Sequence, residues 1–485
     1  MSDIVSIGLL HGRRGKVASK GRSVQSLPQF LSTPSRVVFV VPAATLAFLG
    51  QTDAVEALAR PIPGRQWPHA LAALTVRNYR LYLSAQAIST TGLWMQRIAQ
   101  DWLVLELTGS VAAVGIAVAL QFSPVLIFGL VGGVLADRYP KRTLLMLTQT
   151  MAATLAAVLG LLALTGTAQV WHVYLIATLL GFVTVVDNPT RQVFVAELVG
   201  DRHVRNAVSL NSSVFQFGAL IGPALSGVLI HAVGQGWSFL INAASCLVVV
   251  IMLAVIRLQP GTVTVPKRTP GQLGAGLRYL REVSEISWTI VLVAMMGILG
   301  LNMPVILAAF ANSEFATGVG GYSLFNSLTA VGALSGALLS ARRVQVVRLR
   351  TLVGLLTGFG GVLAVASLAP NVYLFGALLV GCGLLTLLFL TGANTLVQLS
   401  SAPTLRGRVM SVYVLVLLGG QAIGGPAVGW LIDQFGARSS MFWCGGLIVL
   451  LATVAGAAMA HQSHLRVEID LRRLQGHSLV HIVHS

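Results

Sequence analysis

Arg97 and Asp101 are the residues of this 485-residue chain best placed to do chemistry. They lie in a long apolar segment, within Trp94-Met-Gln-Arg97-Ile-Ala-Gln-Asp101-Trp102. Four residues apart on a helix, they share one face. An ionisable group at the centre of a membrane helix costs roughly 2.5–3.5 kcal/mol on insertion scales, so it is usually paired or functional. Two readings stand open: a structural pair that locks this helix to a neighbour, or a pair that exchanges a proton or a cationic substrate. In the second, a nearby cation favours the carboxylate and burial opposes it, so a substrate displacing Arg97 lets Asp101 take up a proton.

Asp187 and Arg191 have the same four-residue separation at the end of a later apolar segment. Asp187 there faces the negative end of its helix dipole, and a gate partner and a plain surface pair are equal readings. Glu106, nearer a boundary, reads as hydrated. The second half of the chain offers mainly amides in its apolar segments: Asn302, Asn326, Asn394, Gln398 and Gln421. Amides can orient a ligand but not carry protons, so proton coupling belongs to the first half. Trp94, Gln121, Phe215, Asn302, Asn326 and Gln398 are the candidate lining of a substrate cavity, with Trp102, Phe122 and Phe217 adding aromatic surface. Such a lining favours a bulky, apolar or amphipathic substrate over a sugar.

The elements that must hold these residues follow from composition. Apolar residues make up 55% of the chain and charged ones 10%, too few charges to cover a soluble domain of this size. Windows of about 20 apolar residues predict twelve spanning helices: 80–105, 111–135, 143–166, 171–190, 207–232, 236–257, 287–311, 320–341, 350–369, 371–395, 409–432 and 439–460. Lys and Arg fall in alternate loops, among them Arg138, Lys141, Arg142, Arg202, Arg205, Arg342, Arg406 and Arg408. The opposite loops 107–110, 166–171 and 232–237 carry none, and Arg438 is the one basic loop residue on that side. The positive-inside rule then predicts a multi-pass protein of the cytoplasmic membrane with both termini cytoplasmic. Topology thus accounts for the net charge of +17, and a nucleic-acid partner is set aside. Cys246, Cys382 and Cys444 lie in apolar runs and read as core residues, not as a disulfide set or a metal site. No cofactor motif is present: there is no HExxH, no Asp-rich diphosphate motif and no glycine-rich phosphate loop.

The chain divides into a basic extension (1–75), a first six-helix bundle (76–258), a cytoplasmic linker (259–285), a second bundle (286–460) and a tail (461–485). The extension holds a short apolar run, 37–49, and reads either as a poorly ordered leader or as a segment lying on anionic lipid. Gly222-Pro223-Ala-Leu-Ser226-Gly227 in the first half matches Gly425-Pro426-Ala-Val-Gly429 in the second, so the halves are pseudo-symmetric repeats. Repeats of this kind place a substrate site at the interface of two moving bundles.

The stretch Gly133-Val-Leu-Ala-Asp137-Arg138-Tyr-Pro140-Lys141-Arg142 resembles the loop between helices 2 and 3 of major facilitator superfamily transporters, with Pro140 where the family usually has glycine. The segments around Asn78-Tyr-Arg80, Trp94 to Trp102, Asp187 to Gln192 and Arg406 to Ser411 are similar to the enterobactin-exporter-like and multidrug-exporter branch. The resemblance implies an all-α fold of two six-helix bundles. It further implies a conformational latch at Gly133, Asp137, Arg138, Lys141 and Arg142, in which Asp137 docks at the start of helix 11. Asp187, Arg191, Arg406 and Arg408 are the candidate gate. Gly218, Gly222, Pro223 and Gly227 resemble the antiporter signature of helix 5, with Ser226 replacing a glycine, and Gly425 and Pro426 are their repeat. The antiporter arginine of helix 4 is Ala177 here, and Ser340 stands in the second half where Asp137 stands in the first. The function this implies is export of lipophilic or amphipathic small molecules, drug-like or siderophore-like, by proton antiport, and not enzymatic. An uptake permease or uniporter of the same fold is the alternative. The expected partners are the substrate, protons and the bilayer, and a monomer is expected.

Overall fold

A computed structural model describes residues 69–200, 202–256, 283–342, 347–402, 405–462, 465–469 and 480–484. Most of the extension, with its apolar run 37–49, and most of the linker lie outside the described residues. The first described residues, His69–Thr75, form a short 3-10 helix. The Ala73 amide is tied to Asn206 Oδ1 at 2.7 Å.

Twelve long helices follow among the described residues. The first bundle holds α1 (Arg77–Thr108), α2 (Val111–Arg138), α3 (Lys141–Leu164), α4 (Val170–Val199), α5 (Val204–Val233) and α6 (Gly236–Val255). The second holds α7 (Ser284–Glu314), α8 (Gly318–Arg342), α9 (Leu349–Ser367), α10 (Val372–Ser400), α11 (Arg406–Phe435) and α12 (Ala437–Gln462). Eleven are long and apolar enough to cross a membrane; the exception is α1, which carries Arg97, Asp101 and Glu106 among several glutamines and hydroxyls. The turns obey local rules. Gly109, with φ 66°, ends α1, and Ser110 caps α2 by accepting from the Ala113 amide at 3.3 Å. The tail contains an antiparallel strand pair, Leu465–Ile469 with Val480–His484, an addition to the all-α fold expected.

Helix α7 departs from the uninterrupted span predicted over 287–311. It contains five-residue π-helical turns at Met296–Gly300 and Phe310–Glu314, and breaks at Leu301 and Asn302. Pro304 explains the break: it has no amide hydrogen and its ring crowds the carbonyl four residues earlier. Side-chain amides satisfy the carbonyls around it. Asn302 Nδ2 donates to Ile298 O at 2.8 Å and Gln421 Nε2 to Leu301 O at 2.9 Å. Asn302 is fully buried in this role, so it does not line a cavity.

Small residues set the packing, as they must where lipid removes the hydrophobic drive between helices. The halves use them in matching places. A Cβ at Gly132 of α2 would strike the Val185 carbonyl of α4, and one at Gly332 of α8 would strike Val380 of α10. Helix α5 lies on α1 through Gly218 against Thr90 and Gly222 against Trp94. Ser226, where the antiporter signature has glycine, donates to Met95 O at 3.1 Å, and Ala177 is fully buried in the bundle.

The bundles meet where α2 crosses α11 and α5 crosses α8. Gly115 faces Gly425 and the nitrogen of Pro426, Ala112 faces Gly429, and Gly227 faces Ser323. Each of these contacts lies in the half of the helices that ends at Ser110 on α2 and Asp433 on α11. Toward the Asp137 end, α2 instead leaves Ile127, Val131 and Val134 at least half exposed.

Candidate functional site

The central site is built on α1. Trp94, Arg97 and Asp101 recur at three- and four-residue intervals and so share a face, and Asp101 is buried. Its carboxylate Oδ2 accepts a hydrogen bond from the Tyr322 hydroxyl at 2.8 Å, a donor that belongs to α8 of the other bundle. Tyr322 is itself fully buried and stacks on Trp102, with ring centroids 6.1 Å apart. The Asp101–Tyr322 bond thus joins α1 to α8 directly.

Arg97 does not pair with Asp101 as its spacing suggested. Its guanidinium lies over the rings of Trp94, 4.9 Å from the centroid, and Phe122, 5.9 Å away. Helical side chains lean toward the N-terminus, so an arginine placed after its carboxylate leans onto it, whereas Arg97, placed before Asp101, leans toward Trp94. Trp94 also meets Phe215 edge-on at 5.5 Å. Among the described residues, neither Trp94 Nε1 nor Arg97 Nε has an acceptor, although both atoms are buried. The result is an aromatic cluster carrying two donors and a cation. Phe215 is exposed, and Gln121 sits half-buried one residue before Phe122.

The remaining candidate lining disperses. Asn326 is half-buried one turn beyond Tyr322 and donates to its carbonyl at 2.8 Å. Gln398 is exposed near the end of α10 and donates to Asn394. Glu106 is not simply hydrated: it accepts from Trp102 Nε1 at 2.6 Å and from Gln235 Nε2 at 2.8 Å.

The candidate gate falls in two places. Asp187 and Arg191 are inside the first bundle, where Asp187 is buried, so they are not a plain surface pair. Asp187 accepts from Arg191 Nε and Nη2, at 3.0 and 2.5 Å, and from Thr148 and Gln149 of α3, both at 2.9 Å. Arg406 is exposed and Arg408 half-buried at the start of α11. In the latch stretch, Gly133 is buried, Asp137 half-buried and Arg138 exposed. Arg142 donates to Ala254 O at the end of α6 at 2.7 Å, where a cation meets free carbonyls, and Lys141 lies 3.9 Å from Glu197. These two basic residues therefore anchor α3 to its neighbours. On the opposite side Arg438 pairs with Glu314 at 2.7 Å and donates to the carbonyls of Ser367 and Ala369 at the end of α9.

No group of three or more His, Cys, Asp or Glu is arranged to hold a metal among the described residues. Cys246, Cys382 and Cys444 are free and buried. Sequence reasoning missed Tyr322, Ser110 and Asp433. Only Asp433 had a local signal, since Gly429 and Asp433 have the same spacing as Gly133 and Asp137.

A family model described as transmembrane secretion effector matches residues 69–473. An uncharacterized MFS-type transporter, YfiS of Bacillus subtilis (strain 168), is 24% identical over 415 residues, covering 81% of this chain and 96% of the relative. The enterobactin exporter EntS of Citrobacter koseri is 25% identical over 356 residues, covering 73% and 85%. Among solved structures, a bacterial homologue of the human lysosomal transporter Spinster, inward-facing and occupied, superposes with a TM-score of 0.64 at 16% identity. That match covers 80% of this chain and 97% of the other.

Proposed function

This chain belongs to the transmembrane secretion effector family of the major facilitator superfamily, and on that premise we propose that it exports lipophilic or amphipathic small molecules in exchange for protons. It is a multi-pass membrane transporter and not an enzyme. The observation that carries the proposal is the buried Asp101 carboxylate held by Tyr322 across the two bundles. A hydrogen bond to an ionised carboxylate is about twice as strong as one to a neutral acceptor. Protonating Asp101 therefore weakens a tie between the bundles, and deprotonating it restores the tie. Substrate enters the same cycle beside Trp94, Phe122 and Phe215, where rings take its apolar surface and the donors of Arg97 and Trp94 take its polar atoms. The enterobactin exporter among the relatives supports a siderophore-like cargo, and the aromatic cluster supports a drug-like one.

Alternating access at this site needs no cofactor, and one chain supplies both bundles. The basic loops on the Asp137 side support a cytoplasmic location for that side and for both termini. Reporters fused at Gly261 and Ser485 should both read as cytoplasmic, and an outside reading for either would overturn this topology. The function itself is tested with inverted vesicles across a panel of siderophore-like and drug-like compounds. An acid-inside gradient should drive accumulation that collapses when the gradient is removed. Accumulation of equal size without a gradient would point to uniport and sink the antiport reading.

A further inference from the structure

The end of the molecule where the bundles meet has a carboxylate of its own. Asp433 lies in the last turn of α11, where the free carbonyls of its own helix oppose a negative charge. It reaches across to the first turn of α2. Its Oδ1 accepts from the Val111 amide at 2.9 Å, and its Oδ2 accepts from the Ala112 amide at 3.1 Å and from the Ser110 hydroxyl at 2.6 Å. Two of the amides that α2 leaves unsatisfied by its own backbone are thus capped by the other bundle. One turn before Asp433, Gly429 makes the approach possible: a Cβ there would lie 2.7 Å from the Ala112 Cα. Glycine for contact and aspartate four residues later for the cap form one docking unit. Helices α2 and α11 run antiparallel, and Gly133 with Asp137 repeats that spacing at the other end of the pair.

We propose that Asp433 is the latch of this end, holding α11 of the second bundle on the N-terminus of α2 and released whenever this end opens. The proposal rests on the alternating-access reading above, and its test needs neither substrate nor gradient. A cysteine replacing Ser323, buried where α8 meets α5 and separate from the α2–α11 crossing, reports opening of the whole end. It is placed in the full-length chain with Cys246, Cys382 and Cys444 replaced by alanine, and labelled with a membrane-impermeant maleimide from the Ser110 side. Asp433→Asn, which removes the charge and keeps the shape, should raise the labelling rate about tenfold, the scale of one hydrogen bond to a charged group. Ser110→Ala, which removes one of the three donors, should raise it less, and Asp433→Glu should fall between the parent and Asp433→Asn. Unchanged labelling in Asp433→Asn would overturn the latch; if that variant fails to insert, unchanged labelling in Ser110→Ala does so. A labelling rise in a chain that moves no compound in inverted vesicles would keep the latch and remove the export reading.

Discussion

Asp187 accepts four hydrogen bonds, all from its own bundle, whereas Asp101 accepts one, from a tyrosine on the other. Both are buried, and each has an arginine four residues away. The order of the two residues separates them. In Asp187–Arg191 the arginine follows, leans back onto the carboxylate and forms a two-nitrogen contact; in Arg97–Asp101 it precedes, and leans over Trp94. A carboxylate saturated within one rigid bundle has nothing to exchange as the bundles move. A carboxylate whose hydrogen bond spans the bundles changes its environment with every reorientation. How a membrane carboxylate is satisfied thus tells more about its role than the fact that it is buried.

The largest effect is expected at Asp101. Asp101→Asn should reduce gradient-driven accumulation in inverted vesicles to the level of vesicles without the protein, with a normal amount of protein in the membrane. Undiminished accumulation at full gradient would remove Asp101 from the coupling step. At Asp187 the loss should be of fold instead. Arg191→Met strands a buried charge, an expected cost of about 3–5 kcal/mol, and should lower the melting temperature in detergent and the membrane level together. A stable Arg191→Met protein that no longer transports would reverse the comparison.

Tyr322→Phe keeps the ring against Trp102 and removes only the donor. Loss of one hydrogen bond to a carboxylate, on the order of 1.5–3 kcal/mol, should slow export while leaving it gradient-dependent. If initial rates in inverted vesicles match the parent, the tyrosine has no part in the cycle. The smallest effect is expected at the aromatic cluster. Phe215→Ala should raise KM for a bulky aromatic compound several-fold with kcat little changed, as the loss of an aromatic pair worth about 0.5–1.5 kcal/mol requires. A fall in kcat at constant KM would instead place Phe215 in the conformational step.

The helices and the division into halves were legible in the sequence because their causes are local. An apolar window of spanning length and the repeated pairs Gly222-Pro223 and Gly425-Pro426 are each read from neighbouring residues. The sequence alone also singled out Arg97 and Asp101, since charge in an apolar segment is costly wherever the segment packs. Their failure to pair was legible too, in the lean of helical side chains, but spacing without direction concealed it. Tertiary structure decided the rest. Tyr322 lies 221 residues from Asp101, and Asp433 lies 323 residues from Ser110, so no local pattern brings either pair together. Asn302, Gln398 and Asp187 resembled site residues by type, and packing turned them respectively into a cap for a broken helix, an exposed amide and an internal ion pair. The sequence determines which segments enter the membrane and which charges must find partners there, because solvation acts on each residue in turn. The crossing of α2 with α11 and of α1 with α8 decides which partners they find, because a hydrogen bond depends on where two distant helices are brought together.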